Sequence, residues 1–204
     1  MTKFLIMSAG LPGVGKSFFI NKLKKFLPDY EYVNHTDIRR ELKFDSVDTT
    51  GKKDRVVLDE ANKRTYDALK KEKGVIIDSV HRHRNLRKER YEIAAKAEKK
   101  VLIIEFICSK EESLKRIKSR PENEGGLVSD TWEKEVYDRL AKEWESIGED
   151  FHNDEMEHVS YIKIDTENLE IEKIKVSSEA TIIVELIEEL GYNRGVRQND
   201  NSFK

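Results

Sequence analysis

The stretch Gly10-Leu11-Pro12-Gly13-Val14-Gly15-Lys16-Ser17 constrains this chain more than any other. It fits the pattern G-x-x-x-x-G-K-[ST], follows the apolar run Phe4-Leu5-Ile6-Met7 and leads into a helical pattern that stops at Pro28. Such a loop works only between a buried strand and the first turn of a helix. Its glycines adopt backbone angles closed to other residues, so that successive N–H groups converge on an anion. The helix N-terminus adds its positive end. The expectation is a nucleotide site built from Gly10, Leu11, Pro12, Gly13, Val14, Gly15, Lys16, Ser17 and Phe18, with Lys16 reaching the β- and γ-phosphates and the Ser17 hydroxyl ligating Mg²⁺.

A strand before that loop implies a parallel sheet, and the rest of the chain supplies one. Apolar runs of strand length fall at Lys3–Ser8, Tyr30–Asn34, Gly74–Asp78, Val101–Cys108 and His158–Asp165. Most are apolar at consecutive positions, as strands covered on both faces should be. Helical patterns alternate with them, at about Lys53–Glu72, Asn85–Ala97 and Glu111–Ser119, and from about Ser177 to Gly191. Asp130 and Glu133 form a capping box, after which Trp132, Val136, Leu140, Trp144 and Ile147 make one apolar stripe, so a helix is expected through 147. The fold class is α/β: a three-layer phosphate-loop architecture with a five-stranded parallel sheet and a small lid. Residues 1–191 are expected to form a single domain, with the lid at about 116–130 and a polar, frayed tail at 192–204. Asp45–Lys53 and Pro121–Ser129 read as mobile, the second as a lid turn; Glu167–Lys173 reads as a short hairpin or a linker, and acidic Glu143–Glu157 as a solvated stretch without a role.

Composition narrows the setting. Thirty-eight basic residues face forty acidic ones, a formal net charge of −2, so any site for a polyanion must be a local patch. Cys108 is the only cysteine, which excludes an intramolecular disulfide or a cysteine metal cluster and suits a reducing compartment, the cytoplasm. No apolar run approaches the roughly 18–20 residues that span a bilayer, so no membrane partner is expected.

Ligands of such sheets lie at the carboxyl ends of the strands. After the second run comes His35-Thr36-Asp37-Ile38-Arg39-Arg40, where Asp37 could take the proton of an attacking hydroxyl or could cap the next helix; His35 is a weaker candidate base. The third run ends at Asp78, the expected second Mg²⁺ ligand. The densest basic run, His81 to Arg90, follows at once. It is either a solvated helix face or, through Arg82 and Arg84, a contact for an anionic acceptor. Arg116 and Arg120, four residues apart, share a helix face leading into the lid turn and could close over a transferring phosphoryl group.

These residues together resemble the P-loop kinases grouped around polynucleotide 5′-hydroxyl kinase, whose related branches include zeta toxins, chloramphenicol phosphotransferase and adenylylsulfate kinase. The resemblance covers about residues 3–166. It rests on the loop at 10–17, Thr-Asp-Ile-Arg-Arg-Glu-Leu at 36–42, Val-Ile-Ile-Asp at 75–78, Leu-Lys-Arg-Ile-Lys-Ser-Arg at 114–120 and Val-Ser-Asp-Thr-Trp-Glu at 128–133. It implies Asp37 as general base, Arg39 or Arg40 on an acceptor phosphate, and Arg116 and Arg120 as lid arginines. Asp37-Ile38-Arg39-Arg40 aligns in two ways, one of which puts Thr36 in the base position. The expected activity is transfer of the γ-phosphoryl group of ATP to a hydroxyl acceptor, with a polynucleotide 5′ end as the first candidate. The alternatives are a small-molecule acceptor (nucleoside, sugar, antibiotic or sulfonucleotide) and an ATPase switch that uses only water. Oligomeric state and the choice of ATP over GTP stay open.

Overall fold

The computed structural model describes residues 2–44, 51–119, 130–151, 156–192 and 197–198. Five strands, β1 (Phe4–Ala9), β2 (Tyr30–Asn34), β3 (Gly74–Asp78), β4 (Lys100–Ile107) and β5 (Val159–Asp165), run parallel in the spatial order β2-β3-β1-β4-β5. Every residue of β1 and β3 is buried. Their alternation sorts the core into two layers. Phe4 and Ile6 pack with Phe19, Ile20, Ile183 and Ile187 on one face. Leu5 and Met7 pack with Val57, Ala61, Tyr91 and Ala94 on the other.

The first face is covered by α1 (Lys16–Leu23) and α7 (Thr181–Glu189); α3 (Lys52–Lys70) and α4 (Arg84–Lys96) cover the second. Between β2 and α3 lies α2 (His35–Glu41), and α5 (Lys110–Lys118) and α6 (Asp130–Lys142) follow β4. Five expected strands and six expected helices thus appear within a few residues of their predicted bounds, except at two ends. The helix after the phosphate loop stops at Leu23 and continues as a 3₁₀ turn over Lys24–Phe26. The helix expected to reach Ile147 ends at Lys142, because the Glu145 N–H donates to the Arg82 carbonyl (3.0 Å) and draws the chain across the start of α4. Trp144 and Ile147 still pack beneath it, beyond the helix.

The sheet is larger than the five strands expected. Asp165 accepts the N–H groups of Glu167 (2.9 Å) and Asn168 (3.1 Å), which folds a tight turn. The chain returns as β6 (Glu170–Lys175), antiparallel to β5, with Ile171 buried opposite Ile164. A two-residue β7 (Arg197–Gln198) lies parallel to β6, giving seven strands among the described residues. Of the segment expected to fray, the described residues Arg197 and Gln198 pair with β6, and Tyr192 is buried with its ring edge-on to Phe19 (centroids 5.1 Å apart). The lid turn at 121–129, Arg120 and most of the 45–53 stretch lie outside the described residues.

Candidate functional site

The phosphate loop owes its shape to close packing. Gly10 has φ +141°, and a Cβ there would stand 2.5 Å from the Phe106 carbonyl oxygen of β4. Gly13 has φ +83°, and its Cβ would stand 2.4 Å from the Ser113 carbonyl oxygen of α5. Both values lie below any tolerable contact, so the loop is pressed against two neighbouring elements that only glycine admits. Gly10, Leu11 and Val14 form the back of the loop, with Val14 in the core. Pro12, Gly13, Gly15, Lys16, Ser17 and Phe18 face a large cleft. Lys16 Nζ lies over the loop, donating to the carbonyls of Gly10 (2.8 Å) and Leu11 (2.9 Å). Phe18 stays 65 % exposed at the cleft mouth, with Lys22 Nζ 4.5 Å from its ring centroid.

Asp78 is the node of the site. It is only 4 % exposed, and its carboxylate accepts from Ser17 Oγ (2.8 Å), Ser8 Oγ (3.0 Å), Tyr32 OH (3.0 Å) and Asn34 Nδ2 (3.2 Å). Those donors satisfy the buried carboxylate and aim one oxygen at the first turn of α1. Burial, then the Asp78 charge, raises the Tyr32 phenol above its usual range, so it remains a donor. A hydroxyl and a carboxylate oxygen side by side suit a hard cation that takes its other ligands from phosphate and water, and Ser17 with Asp78 fit Mg²⁺ in that sense. Among the described residues no group of three or more His, Cys, Asp or Glu side chains could form an all-protein metal cage.

Asn34 caps α2 by accepting the N–H groups of Thr36 (2.7 Å) and Asp37 (3.1 Å). Asp37 is therefore not the cap. It sits one turn in, with its side chain 52 % exposed and its Oδ1 accepting from Arg40 at 3.1 Å. Arg39 pairs with Asp54 of α3. Thr36, Asp37, Arg39, Arg40 and Arg82 all line the same cleft as the loop. His35 is not poised as a base. Burial, then the Arg90 and Arg39 charges, lower it to about 3, and its Nε2 is taken by Arg90 at 3.2 Å.

The arginines of the basic run at 81–90 are largely engaged within the protein, while Asn85 and Lys88 are exposed. Arg87 and Arg90 are fully buried. Arg87 grips Asp150 with two hydrogen bonds (2.6 and 2.7 Å) and the carbonyls of His81 and Arg82 (both 3.0 Å). Arg82 binds Glu143 (2.8 Å), and Arg84 binds Glu149 and Asp150. The acidic stretch that had no expected role supplies the counter-charge. Arg84 consequently lies away from the main cleft, beside Trp144 and Glu149.

Arg116 lines the cleft but is tied down. It donates to Thr166 Oγ1 (2.8 Å) and to Glu112 (2.9 Å), while Thr166 Oγ1 donates to the Val14 carbonyl (2.8 Å), clamping α5 and the end of β5 onto the phosphate loop. Thr166, Tyr32 and Ser8 were invisible as site residues in the sequence. Only Asn34 carried a signal, as a cap residue at a strand–helix junction.

A phosphate loop opening α1, an acid at the end of the adjacent strand and the order β2-β3-β1-β4-β5 define a P-loop nucleotide-binding protein of kinase-like fold. Within that class, the family model described as "Chromatin associated protein KTI12" matches residues 4–189, and the chain belongs to the KTI12 family. Comparison with curated proteins finds no match. Among solved structures it is similar to a protein assigned as a kinase from Chloroflexus aurantiacus J-10-fl (TM-score 0.60, 18 % identity, 93 % of this chain and 97 % of that one). It is similar also to Chaetomium thermophilum Kti12 in complex with ADP-AlF3 (TM-score 0.57, 16 % identity, 92 % and 97 %). A fungal RNA kinase shares the fold (TM-score 0.55, 16 % identity, 95 % and 45 %). At these identities the likeness is one of fold. The chain spans less than half of that RNA kinase chain and 44 % of the chain it matches in a Pnkp1/Rnl/Hen1 complex. Among the described residues no helix is long and apolar enough to cross a membrane.

Proposed function

We propose that this protein transfers the γ-phosphoryl group of ATP to a hydroxyl acceptor that itself carries phosphate, the 5′ end of a polynucleotide being the acceptor its cleft suits best. The observation that carries this reading is the cleft itself. At about 1830 Å³ it exceeds the roughly 300–1,000 Å³ of an ordinary small-ligand pocket, leaving room for a second substrate beside a nucleotide. Its charge is opposite to that of the whole chain. Lys16, Lys22, Lys24 and Arg116 stand on the loop side and Arg39, Arg40, Arg55 and Arg82 on the other, against Asp37, Asp54 and Asp78. Such a lining concentrates anions at both ends.

In this reading the loop N–H groups and Lys16 hold the nucleotide phosphates, and Ser17 with Asp78 hold Mg²⁺. When bound there, Mg²⁺ would supply charge neutralisation to the nucleotide phosphates. Asp37 orients the acceptor hydroxyl and takes its proton, its Oδ1 accepting from Arg40 at 3.1 Å. Arg39 and Arg82 face the acceptor phosphate. Arg116 stabilises the transferring group from the loop side; Arg120, the second lid arginine expected from the sequence, lies outside the described residues. Cys108 is a free thiol, in keeping with a reducing compartment, the cytoplasm or chromatin.

The test is incubation with γ-labelled ATP, Mg²⁺ and a 5′-hydroxyl oligonucleotide, beside a panel of nucleosides and sugars. Label on the oligonucleotide, lost in Lys16→Ala and reduced at least about 100-fold in Asp37→Ala, is the expected outcome. Label on a small molecule instead would replace the acceptor and keep the chemistry. Release of labelled phosphate at a rate indifferent to every acceptor would make the protein an ATPase and overturn the reading.

A further inference from the structure

Behind the acceptor side of the cleft lies a buried cation that no carboxylate among the described residues pairs with. Arg90 is 0 % exposed, donates to Asn62 Oδ1 and to His35 Nε2 (3.2 Å), and its Nε–H has no partner among the described residues. Glu89 and Asp59 act on it only through space, and burial lowers it to about 10. A guanidinium can only donate, so His35 Nε2 must accept. The neutral ring then carries its proton on Nδ1, which lies 3.1 Å from Ser79 Oγ. The Ser79 oxygen therefore accepts from His35. Its own proton must point elsewhere, and no other hydrogen bond of Ser79 Oγ exists among the described residues. Ser79 lines the cleft directly after Asp78. Its backbone is held by Ser8 Oγ, which accepts from the Ser79 N–H (3.2 Å), and its hydroxyl oxygen by His35.

We propose that Ser79 Oγ is a phosphoryl-binding donor whose direction is set by His35 and Arg90. Its ligand is a non-bridging oxygen, either of the nucleotide γ-phosphoryl group or of a phosphate borne by the acceptor. The three side chains form a one-way relay in which Arg90 donates to His35, His35 to Ser79, and Ser79 to the anion. The unpaired charge of Arg90 polarises each bond in the same sense. His35 and Arg90 are positioning residues that never touch substrate. The idea rests on the cleft being a phosphoryl-transfer site, and it departs from a base role for His35.

The test is calorimetry with Mg²⁺, comparing ATPγS with ADP, and a nucleoside 3′-monophosphate with the unphosphorylated nucleoside on the ADP-bound protein. In Ser79→Ala, one of the two affinity ratios falls about 10- to 100-fold, as expected for a lost hydrogen bond to a charged group. A fall in ATPγS over ADP identifies the γ-phosphoryl group; a fall in monophosphate over nucleoside identifies the acceptor phosphate. Ser79→Thr restores the ratio. His35→Leu lowers the same ratio, while His35→Gln, whose amide can accept from Arg90 and donate to Ser79, keeps it. A ratio is insensitive to general loss of stability, so a purely structural role would not move it. Unchanged ratios in Ser79→Ala overturn the proposal, and so does a His35→Leu variant that matches wild type. Failure of the wild-type protein to bind ADP would instead overturn the cleft reading.

Discussion

Replacing Asp150 with alanine tests how the basic run is held. Its side chain is 1 % exposed, and it is the only carboxylate paired with the fully buried Arg87 among the described residues. It also accepts from Tyr91 OH at 2.9 Å and Arg84 Nε at 3.2 Å. In Asp150→Ala, Arg87 keeps the carbonyls of His81, Arg82 and Ser146 but has no counter-charge. Breaking a buried pair from one side costs about 3–5 kcal/mol, because a desolvated charge is left behind. For a chain of this size each kcal/mol lowers Tm by roughly 2–4 °C, so a drop of about 6–20 °C is expected. Urea unfolding followed by tryptophan fluorescence gives the free energy directly. Arg84→Ala removes a partner that is 44 % exposed and should cost less than about 1 kcal/mol. The double variant Arg87→Met, Asp150→Leu should regain most of the loss, since it buries no charge. A loss below about 1 kcal/mol in Asp150→Ala would refute the claim that the acidic stretch is the counter-charge of the run.

Gly13→Ala meets both a φ of +83° and a carbonyl at 2.4 Å, so ADP affinity should fall at least about 10-fold, whereas Gly51→Ala, with φ +72° and nothing within 4 Å, should cost only about 1–2 kcal/mol of backbone strain and leave ADP binding alone; equal ADP affinities in the two variants would contradict the packing argument. Asp78→Asn should reduce ATP affinity in Mg²⁺ about 10- to 100-fold but change little in EDTA, and a loss that persists in EDTA would count against Mg²⁺ ligation. The His35 ring falls to about 3 from its usual 6.5, so between those values the unfolded chain binds a proton that the folded protein refuses. Stability then rises with pH through this window and is lost toward acid, by about 2 kcal/mol from pH 7 to pH 5 for His35 alone. His81, lowered chiefly by burial and then by Arg90, acts in the same direction. Denaturant titrations across that range should show a shallower slope in His35→Gln, and an unchanged slope would rule His35 out as a source.

The parts of this protein legible in its sequence are those set by residues close together in the chain. The phosphate loop is a local pattern, and its glycines, Lys16 and Ser17 stand where the pattern puts them. The five parallel strands show as apolar runs because both faces of each are covered, and Asp78 was readable as the polar end of one run. The sheet's antiparallel extension was legible only as one of two readings of Glu167–Lys173, a short hairpin or a linker, since Glu170–Lys175 mixes charges with isoleucines and its pairing depends on a turn made by the Asp165 side chain. Charge was the least legible feature. As a sequence, His81–Arg90 and Glu143–Glu157 are two runs of opposite sign, and nothing local says that Arg87 will meet Asp150 across 63 positions. Arg116 likewise lies on the helix its neighbours predict, yet its partner Thr166 comes from the end of another strand. Helix and strand period are short-range properties of the backbone, so the chain alone determined the frame and the phosphate loop. Which arginines remain to meet a ligand, and which are spent on buried carboxylates, was decided only when distant segments packed together, because the worth of a charge depends on the burial and partners that packing creates.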